Sequence, residues 1–236
     1  MILAVASCLS LAVSASAAST ARKATDFRDF DRTAWYADAV SAAVDNGLLY
    51  GKSATVIDPN GDMTRAEMAA IINRSFGCYA KADISKYKDV SKDKWYFEDV
   101  AMAVQMGTYN GRSNSSMAPD APITRQEAMT VVARALELDY DSYSKAELTQ
   151  FSDAGKVSNW AMPYVRAMVG ADYIHGRGKV LAPQDNITRA EFAQIFYNII
   201  GTYIVSKGSY DKDMKGNVLI RTNDVELKKM TVDGDL

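Results

Sequence analysis

The chain has 236 residues, with 27 Lys and Arg against 29 Asp and Glu and a formal net charge of −2. This balance argues against a general nucleic-acid binder, which usually carries a strong basic excess, so any binding that uses charge must be local. A hydrophobic content of 48% is ordinary for a globular protein, and the length allows one large domain or a few small ones.

The first residues predict a secretory signal peptide. Ile2–Val13 is apolar and uncharged, and Ala15–Ala17 places small residues at the spacing that a signal peptidase reads. We predict the signal over residues 1–17, shortened at its start because the usual basic residues are missing. The apolar run is too short for a membrane span. Val5–Cys8 also resembles a lipoprotein cleavage box, so lipidation of Cys8 stays open.

The strongest feature of the sequence is a repeat in three copies, which we bound at residues 24–79, 84–138 and 148–203. Each copy carries an aromatic-x-Asp element, a Trp, a Gly, a Pro and a Thr-Arg-Ala/Gln-Glu motif in the same order. The landmarks are Asp29, Asp89 and Asp153; Trp35, Trp95 and Trp160; Gly51, Gly111 and Gly176; Pro59, Pro119 and Pro183; and Arg65, Arg125 and Arg189. Chance does not place five landmarks in register three times, so the copies are expected to share one fold.

Each copy is predicted to form a helix, a loop and a second helix. The first helix begins near the Trp and, in the first copy, ends before Gly47, a good C-terminal stop. The second begins with a capping box, in which the Thr64 hydroxyl accepts from a first-turn amide and Glu67 reaches back to the Thr64 amide. Thr124 with Glu127 and Thr188 with Glu191 repeat this motif.

The second helices present a wide apolar face, as at Met68, Ile71 and Ile72. A single two-helix unit cannot bury such a face, but three units can do so by packing their second helices together. We therefore predict a mainly α fold. Three tandem helix-loop-helix repeats pack as one pseudo-threefold domain, and a short β-type segment starts at the C-terminus.

The pattern changes after the repeats. Residues 204–216 are polar and contain glycine, so we predict a linker there. From Asn217 onward apolar and polar residues alternate, as at Val218 and Ile220, which is strand periodicity. Residues 217–236 are therefore predicted to begin a β-rich domain that resembles the first rungs of a parallel β-helix and continues past the end of this sequence.

The repeated Arg is the leading candidate for binding. An Arg just inside a capped helix start lies beside free backbone amides and the positive end of the helix dipole, a place that attracts anions. Its planar guanidinium suits a carboxylate because it can donate two parallel hydrogen bonds. A second cation follows the loop Gly in each copy, at Lys52, Arg112 and Arg177.

The other repeated residues have both a binding and a structural interpretation. A Trp face can hold a sugar ring and an Asp can accept hydrogen bonds from its hydroxyls, but a Trp can equally anchor a core and an Asp can cap a turn. The repeated Glu residues are interpreted as helix caps, and the glycines as serving backbone geometry first. His175 occurs in one copy and is interpreted as incidental.

The repeat resembles the S-layer homology domain family, most specifically through Thr-Arg-Ala/Gln-Glu preceded by Met63, Ile123 and Ile187. The resemblance implies a three-pronged helical domain whose grooves bind a secondary cell-wall polysaccharide attached to peptidoglycan, often one bearing a pyruvate ketal. It assigns ligand binding to the signature Arg with help from Asp, Trp and Gly. Those roles would fall on Arg65, Arg125 and Arg189; Asp29, Asp89 and Asp153; Trp35, Trp95 and Trp160; and Gly51, Gly111 and Gly176.

The sequence departs from the family pattern directly after the loop Gly. The family usually has an aromatic there, whereas this chain has Lys52, Arg112 and Arg177. We expect these cations to favour a more acidic polymer than usual. Asp172 in the third copy replaces a glycine of the other two, so the grooves are expected to differ in affinity.

We therefore predict a secreted, non-enzymatic module that holds a bacterial surface protein to an anionic polymer of the cell wall. The sequence has no Gly-rich phosphate loop, nucleophile elbow or metal-ligand cluster, and we predict no cofactor, metal or nucleic-acid partner and no membrane span in the mature chain. Two alternatives stay open: a helical-repeat module that binds a protein, and the anchor of a larger extracellular carbohydrate-active enzyme. Lateral self-assembly through a part beyond Leu236 is also allowed.

Overall fold

The computed structural model describes residues 22–235, so the predicted signal peptide and Cys8 lie outside the described residues. Within that range the chain forms six α-helices, two for each repeat. They are α1 (Ala37–Asp45) and α2 (Arg65–Phe76), α3 (Phe97–Gln105) and α4 (Arg125–Ala135), and α5 (Met162–Gly170) and α6 (Arg189–Ile199). Short 3-10 turns lie at Ala24–Asp26 and Ala154–Lys156. None of the described helices is long and apolar enough to cross a bilayer.

The second helix of each repeat starts where the sequence predicts. The Thr64 hydroxyl accepts a hydrogen bond from the Glu67 amide at 3.2 Å, and the Glu67 carboxylate accepts one from the Thr64 amide at 3.0 Å. Thr124 with Glu127 and Thr188 with Glu191 form the same reciprocal pair. Because such a cap typically contributes about 1 kcal/mol, it fixes the point at which each helix leaves its loop.

The first helix of each repeat is followed by a residue in the left-handed backbone conformation. α1 stops before Gly47, whose φ is +69°, and α3 stops before Gly107, whose φ is +73°. In the third repeat Asp172 takes the same conformation with a φ of +62°. A residue with a Cβ costs about 1–2 kcal/mol more than glycine there, so this turn is strained relative to the other two.

Three backbone hydrogen bonds tie the repeats together in a ring. The Ile123 amide donates to the Met63 carbonyl, the Ile187 amide to the Ile123 carbonyl, and the Met63 amide to the Ile187 carbonyl, each at 3.0 Å. All three side chains are fully buried. The residue before each capping Thr therefore lies at the pseudo-threefold axis, and the ring closes only when all three repeats are present.

Helix packing follows the same cyclic order. α2 packs against α3, α4 against α5, and α6 against α1, so each second helix meets the first helix of the next repeat. Their apolar faces join one continuous core, which includes Met68, Met129 and Phe192. The predicted mainly α, pseudo-threefold domain is thus confirmed.

The C-terminal segment forms short strands that pair in parallel. They are β1 (Ile200–Ile204), β2 (Gly208–Tyr210), β3 (Met214–Lys215), β4 (Asn217–Ile220), β5 (Val225–Leu227) and β6 (Val232–Asp233). Each of the first three pairs with the third strand after it: β1 with β4, β2 with β5 and β3 with β6. Two successive coils therefore stack as in a parallel β-helix, which is the arrangement that the sequence suggested.

The linker predicted over residues 204–216 is wrong, because the first coil begins earlier. β1 follows α6 without an intervening loop, and β2 and β3 lie inside the expected linker. The first coil packs tightly against its own corner, since a Cβ on Gly201 would lie 2.5 Å from the Lys215 carbonyl oxygen. The polar, glycine-containing composition of this segment belongs to short strands and corners of a coil.

Candidate functional site

Two equivalent surface cavities lie between the repeats, and each is lined by residues of all three. The first groove, about 380 Å³ in volume, is lined by Arg65 of the first repeat, the loop and α4 of the second, and Trp160 of the third. The second groove, about 230 Å³, is lined by Arg125, the loop and α6 of the third repeat, and Trp35 of the first. The pseudo-threefold relation defines a third groove from Arg189, the loop and α2 of the first repeat, and Trp95.

The three Trp side chains face solvent. Trp35, Trp95 and Trp160 are 64%, 62% and 52% exposed, so the interpretation of these residues as core anchors is wrong. The neighbouring residue takes that role, since Tyr36 and Tyr96 are buried. Each of these Tyr rings is nearly perpendicular to the preceding Trp ring, with centroids 5.6 Å and 5.4 Å apart, and the indoles keep more than half of their surface exposed.

The signature Arg is almost fully buried and reaches into the next repeat. The Arg65 guanidinium donates to the Met117 and Asn110 carbonyls, both at 2.9 Å, and pairs with Glu127 at 3.2 Å. Arg125 donates to the Leu181 carbonyl and pairs with Glu191, and Arg189 donates to the Ile57 and Tyr50 carbonyls and pairs with Glu67. Each Arg therefore holds the neighbouring loop in place and presents at most one edge to its groove.

The free helix amides expected beside the signature Arg are occupied. The Arg65 and Ala66 amides donate to the Ala121 and Pro119 carbonyls of the next repeat, at 3.0 Å and 2.9 Å. The amides of Arg125 and Gln126, and of Arg189 and Ala190, make the equivalent bonds. The anion site inferred from free amides is therefore wrong, because closing the ring satisfies these donors.

The repeated Glu is a shared partner for two cations as well as a cap. Glu127 pairs with Arg65 of the preceding repeat at 3.2 Å and with Arg112 of its own loop at 3.4 Å. Glu67 likewise pairs with Arg189 and Lys52, and Glu191 with Arg125 and Arg177. The loop cations keep roughly a third or more of their side chains exposed, so they lie at the groove rim with part of their charge already neutralised.

Two groove residues carry signals that sequence reasoning missed. Arg134, near the end of α4, lines the first groove and stacks on the Tyr164 ring at 4.8 Å from the centroid. His175, interpreted as incidental, lines the second groove. Aligning the three copies over the whole loop and second helix points to both positions. Arg134 aligns with Arg74 and Asn198, and His175 aligns with Tyr50 and Asn110.

The repeated Asp residues hold the loop backbone. Asp89 accepts hydrogen bonds from the Met117 and Ala118 amides at 2.9 Å and 2.7 Å, and Ala118 has a left-handed φ of +52°. Asp29 does the same for Ile57 and Asp58, and Asp153 for Leu181 and Ala182. In the described chain none of the three Asp residues lines the first or second groove, so we assign them to loop geometry. Their contact with a ligand stays a prediction.

The loop glycines are required by a close approach to the opening aromatic. A Cβ on Gly111 would lie 2.4 Å from the Tyr87 ring, and Gly51 and Gly176 meet Phe27 and Phe151 in the same way. Gly111 and Gly176 also line the first and second grooves. Backbone geometry is therefore their first role, as the sequence suggested, and ligand contact remains open.

Acid is expected to destabilise the ring. Partial burial raises the pKa of Asp89, but hydrogen bonds from Met117, Ser116 and Ala118 lower it more, so it lies below 3.8. Burial likewise raises the pKa of Glu67, but Lys52, the Thr64 amide and Arg189 bring it below 4.5. Carboxylates with lowered pKa values stabilise the fold fully above their ordinary values and lose that contribution as pH falls through the lowered ones. Thermal midpoints should thus be level near neutral pH and fall below about pH 4.5.

The control for this acid effect is the variant Asp89→Asn, which cannot ionise. Its thermal midpoint should be lower at neutral pH, and its loss of stability in acid should be shallower than that of the unsubstituted chain. A midpoint that stays level down to about pH 3 in both proteins would contradict the role given to these carboxylates.

Comparison with known proteins agrees with this architecture. The chain is 34% identical over 194 residues to a surface-layer 125 kDa protein of Lysinibacillus sphaericus, covering 80% of this chain and 16% of that protein. It is 29% identical to the exoglucanase XynX of Acetivibrio thermocellus, covering 76% and 16%, and 24% identical to the S-layer protein sap of Bacillus anthracis, covering 71% and 20%. The chain thus spans about a sixth to a fifth of the length of these relatives.

The shared region is the helical ring. The S-layer homology domain matches residues 26–69, 86–129 and 150–193, together more than half of the chain. A module common to surface-layer proteins and to an exoglucanase indicates attachment at the cell surface. With three matched copies in one closed ring, the chain belongs to the S-layer homology domain family.

Proposed function

We propose that the ring anchors its protein to the bacterial cell wall by binding an anionic secondary polysaccharide in the grooves between repeats. The observation that carries this proposal is the composition of the first groove, which is lined by both an exposed indole and several guanidinium groups. An aromatic face suits a sugar ring, and guanidinium groups suit a carboxylate carried on that sugar. A pyruvate ketal is one substituent with this chemistry.

The charges of the grooves support an acidic ligand. The first groove is lined by Arg65, Arg112 and Arg134 against the single carboxylate of Glu127, which leaves an excess of positive charge. The second groove has Arg125 and Arg177 against Glu191 and so a smaller excess. The preference for a more acidic polymer that we expected from the loop cations therefore rests equally on Arg134, and the first groove should bind more tightly than the second.

The relatives support the same function. A surface-layer protein and an exoglucanase both match this region over only 16% of their own length, as expected for an anchor with interchangeable cargo. The ring then supplies attachment, and any enzymatic activity would belong to sequence outside it. Binding of a protein partner in the grooves is the competing function, and the sedimentation experiment below separates the two.

Replacing Trp160 with Ala is expected to weaken polymer binding about tenfold or more. A central aromatic contact in a binding site typically contributes about 2 kcal/mol, and Trp160 is exposed, so the substitution should leave folding intact. The measurement is co-sedimentation with Lysinibacillus sphaericus sacculi, before and after chemical removal of the secondary polysaccharide.

The matched control is Tyr79→Ala. Tyr79 is the most exposed large aromatic of the described chain, at 81%, and lies outside both grooves, so this variant should bind like the unsubstituted protein. Unchanged binding by the Trp160 variant, or binding that persists on stripped sacculi, would contradict the proposed polymer site. Binding that is abolished by protease treatment of the sacculi would favour a protein partner instead.

A further inference from the structure

The first groove continues into an aromatic strip formed by Tyr164 and Tyr140. Arg134 lines this groove, and its guanidinium lies over the Tyr164 ring at 4.8 Å from the centroid. The Tyr164 ring in turn meets the Tyr140 ring, with centroids 5.6 Å apart and ring planes at 63°. Arg134 therefore connects the lining of the groove to a pair of tyrosine rings beside it.

Tyr140 is the accessible end of this strip. It is 46% exposed, whereas Tyr164 is half-buried and packs against the core. Tyrosine supplies a large, rigid contact surface at a low cost in conformational entropy, and Tyr164 supports the exposed ring from within. An exposed and supported ring beside a polysaccharide groove is suited to contact a neighbouring sugar.

The segment that carries Tyr140 is held in place by its own contacts. Residues 139–147 connect the second repeat to the third and are more numerous than the residues that connect the first to the second. The Asp139 carboxylate accepts a hydrogen bond from the Ser142 hydroxyl at 2.7 Å. The Tyr143 ring packs so closely on α5 that a Cβ added to Gly170 would lie 2.6 Å from it. The connection is therefore fixed against α5, and Tyr140 with it.

The sequence restricts this strip to one groove. At the position of Tyr164, counted from the repeated Trp, the first and second repeats have Ala39 and Asp99. At the position of Arg134, the third repeat has Asn198, which lines the second groove. Because neither of the other repeats has an aromatic residue where Tyr164 stands, only the first groove can be extended in this way.

The charges around Tyr140 favour an uncharged sugar. Asp139 and Asp141 flank it in the sequence, and both are exposed. Hydrogen bonds from Ser142 lower the pKa of Asp139, so its carboxylate is ionised at neutral pH. A carboxylate on the ligand would be repelled here and attracted to the guanidinium groups that line the groove, such as that of Arg134.

We propose that Tyr140, supported by Tyr164, is a second subsite of the first groove and stacks on an uncharged sugar next to the acidic sugar held at Trp160. This inference rests on the proposed function. It defines the ligand of the first groove as a pair of neighbouring sugars, of which one carries a carboxylate and the other is neutral. Recognition of the neutral sugar then depends on residues outside the signature motif.

The test uses Trp160 as the reporter of the first groove. In the full chain, Phe replaces Trp35 and Trp95, and this reference protein is titrated with polysaccharide released from Lysinibacillus sphaericus sacculi while Trp fluorescence is followed. Tyr140→Ala in this background is expected to weaken binding about threefold to tenfold, because one aromatic contact is lost. The salt dependence of the affinity should stay the same, since no charge is removed.

Three further variants in the same background separate the ring from its hydroxyl and from charge. Tyr140→Phe keeps the ring and should bind like the reference protein. Arg134→Ala should weaken binding and also flatten its salt dependence, because a cation is removed from the groove. Tyr79→Ala removes a more exposed tyrosine that does not line the first groove, and it should leave the affinity unchanged.

A second reporter tests whether the effect is local. With Phe at positions 95 and 160, Trp35 reports on the second groove, which it lines. Tyr140→Ala in this background should leave the affinity measured by Trp35 unchanged. Circular dichroism of each variant verifies that the ring is folded before titration.

The outcomes separate this inference from the function beneath it. Absence of a saturable change from Trp160 in the reference protein would count against polymer binding itself. Equal affinities of the reference protein and Tyr140→Ala would overturn the second subsite while leaving the proposed function intact. A loss that Trp35 also reports, a loss shared by Tyr140→Phe, or a flattened salt dependence in Tyr140→Ala would overturn it as well.

Discussion

Replacing Arg65 with Ala is expected to lower the free energy of unfolding by about 3–5 kcal/mol. Arg65 is 4% exposed and joins the first repeat to the second through Glu127 and the Met117 and Asn110 carbonyls. Its removal leaves a partly buried carboxylate and two carbonyls without their donor, which costs far more than an exposed ion pair would. Urea unfolding followed by circular dichroism gives the measurement.

Arg112→Ala is the matched control, because Arg112 pairs with the same Glu127. Its side chain is 41% exposed and its nitrogen lies 3.4 Å from the carboxylate, so its loss should cost only about 0–1 kcal/mol. Equal losses in the two variants would refute the structural role given to Arg65. If the difference is found, reduced wall binding by variants of the signature Arg must be corrected for unfolding before it is read as loss of a ligand contact.

The features that sequence predicted correctly are those set by neighbours along the chain. A capping box is complete within four residues, from Thr64 to Glu67, and the apolar face of a helix repeats every turn. Recurrence of these signals in three copies then required a shared core. The pseudo-threefold domain could therefore be derived without knowing any long-range contact.

The role of the signature Arg could not be derived in this way. The helix motif by itself shows only donors at the helix start, whereas the acceptors for Arg65 and its amide come from Met117, Asn110 and Ala121 of the next repeat. The choice between Trp35 and Tyr36 for the core was equally hidden, since adjacent aromatics do not reveal which one faces inward. Both depend on how the ring closes.

The first β-coil was missed for a related reason. Strands as short as β2 and β3 carry too little periodicity to be recognised, and their partners lie a full coil further along the chain. Only the second coil, with Val218 and Ile220, shows alternation that a local reading detects. The position of Arg221 beside Gly47 then follows from the docking of the coil, so this contact is visible only in three dimensions.

Isolating the central repeat, residues 84–138, is expected to abolish its fold. The main helix partners of α3 and α4 are α2 and α5, which belong to the other repeats, so both apolar faces would be exposed. The Arg125 and Gln126 amides would lose the Asp185 and Pro183 carbonyls, and Ile123 would lose both of its partners at the axis. A segment this short can rarely supply more than about 3–5 kcal/mol from one core, and here the core is divided among three repeats.

The measurement is far-ultraviolet circular dichroism with thermal unfolding, and the full ring with its coils, residues 22–235, is the control. The control should show a single cooperative transition, since the backbone triangle of Met63, Ile123 and Ile187 couples all three repeats. The isolated repeat should show little helix and no transition. A cooperative helical melt of the single repeat would mean that the repeats are independent beads. It would also contradict the assembly of each groove from three repeats, because the ring closure that brings Arg65, Glu127 and Trp160 together would then be incidental to folding.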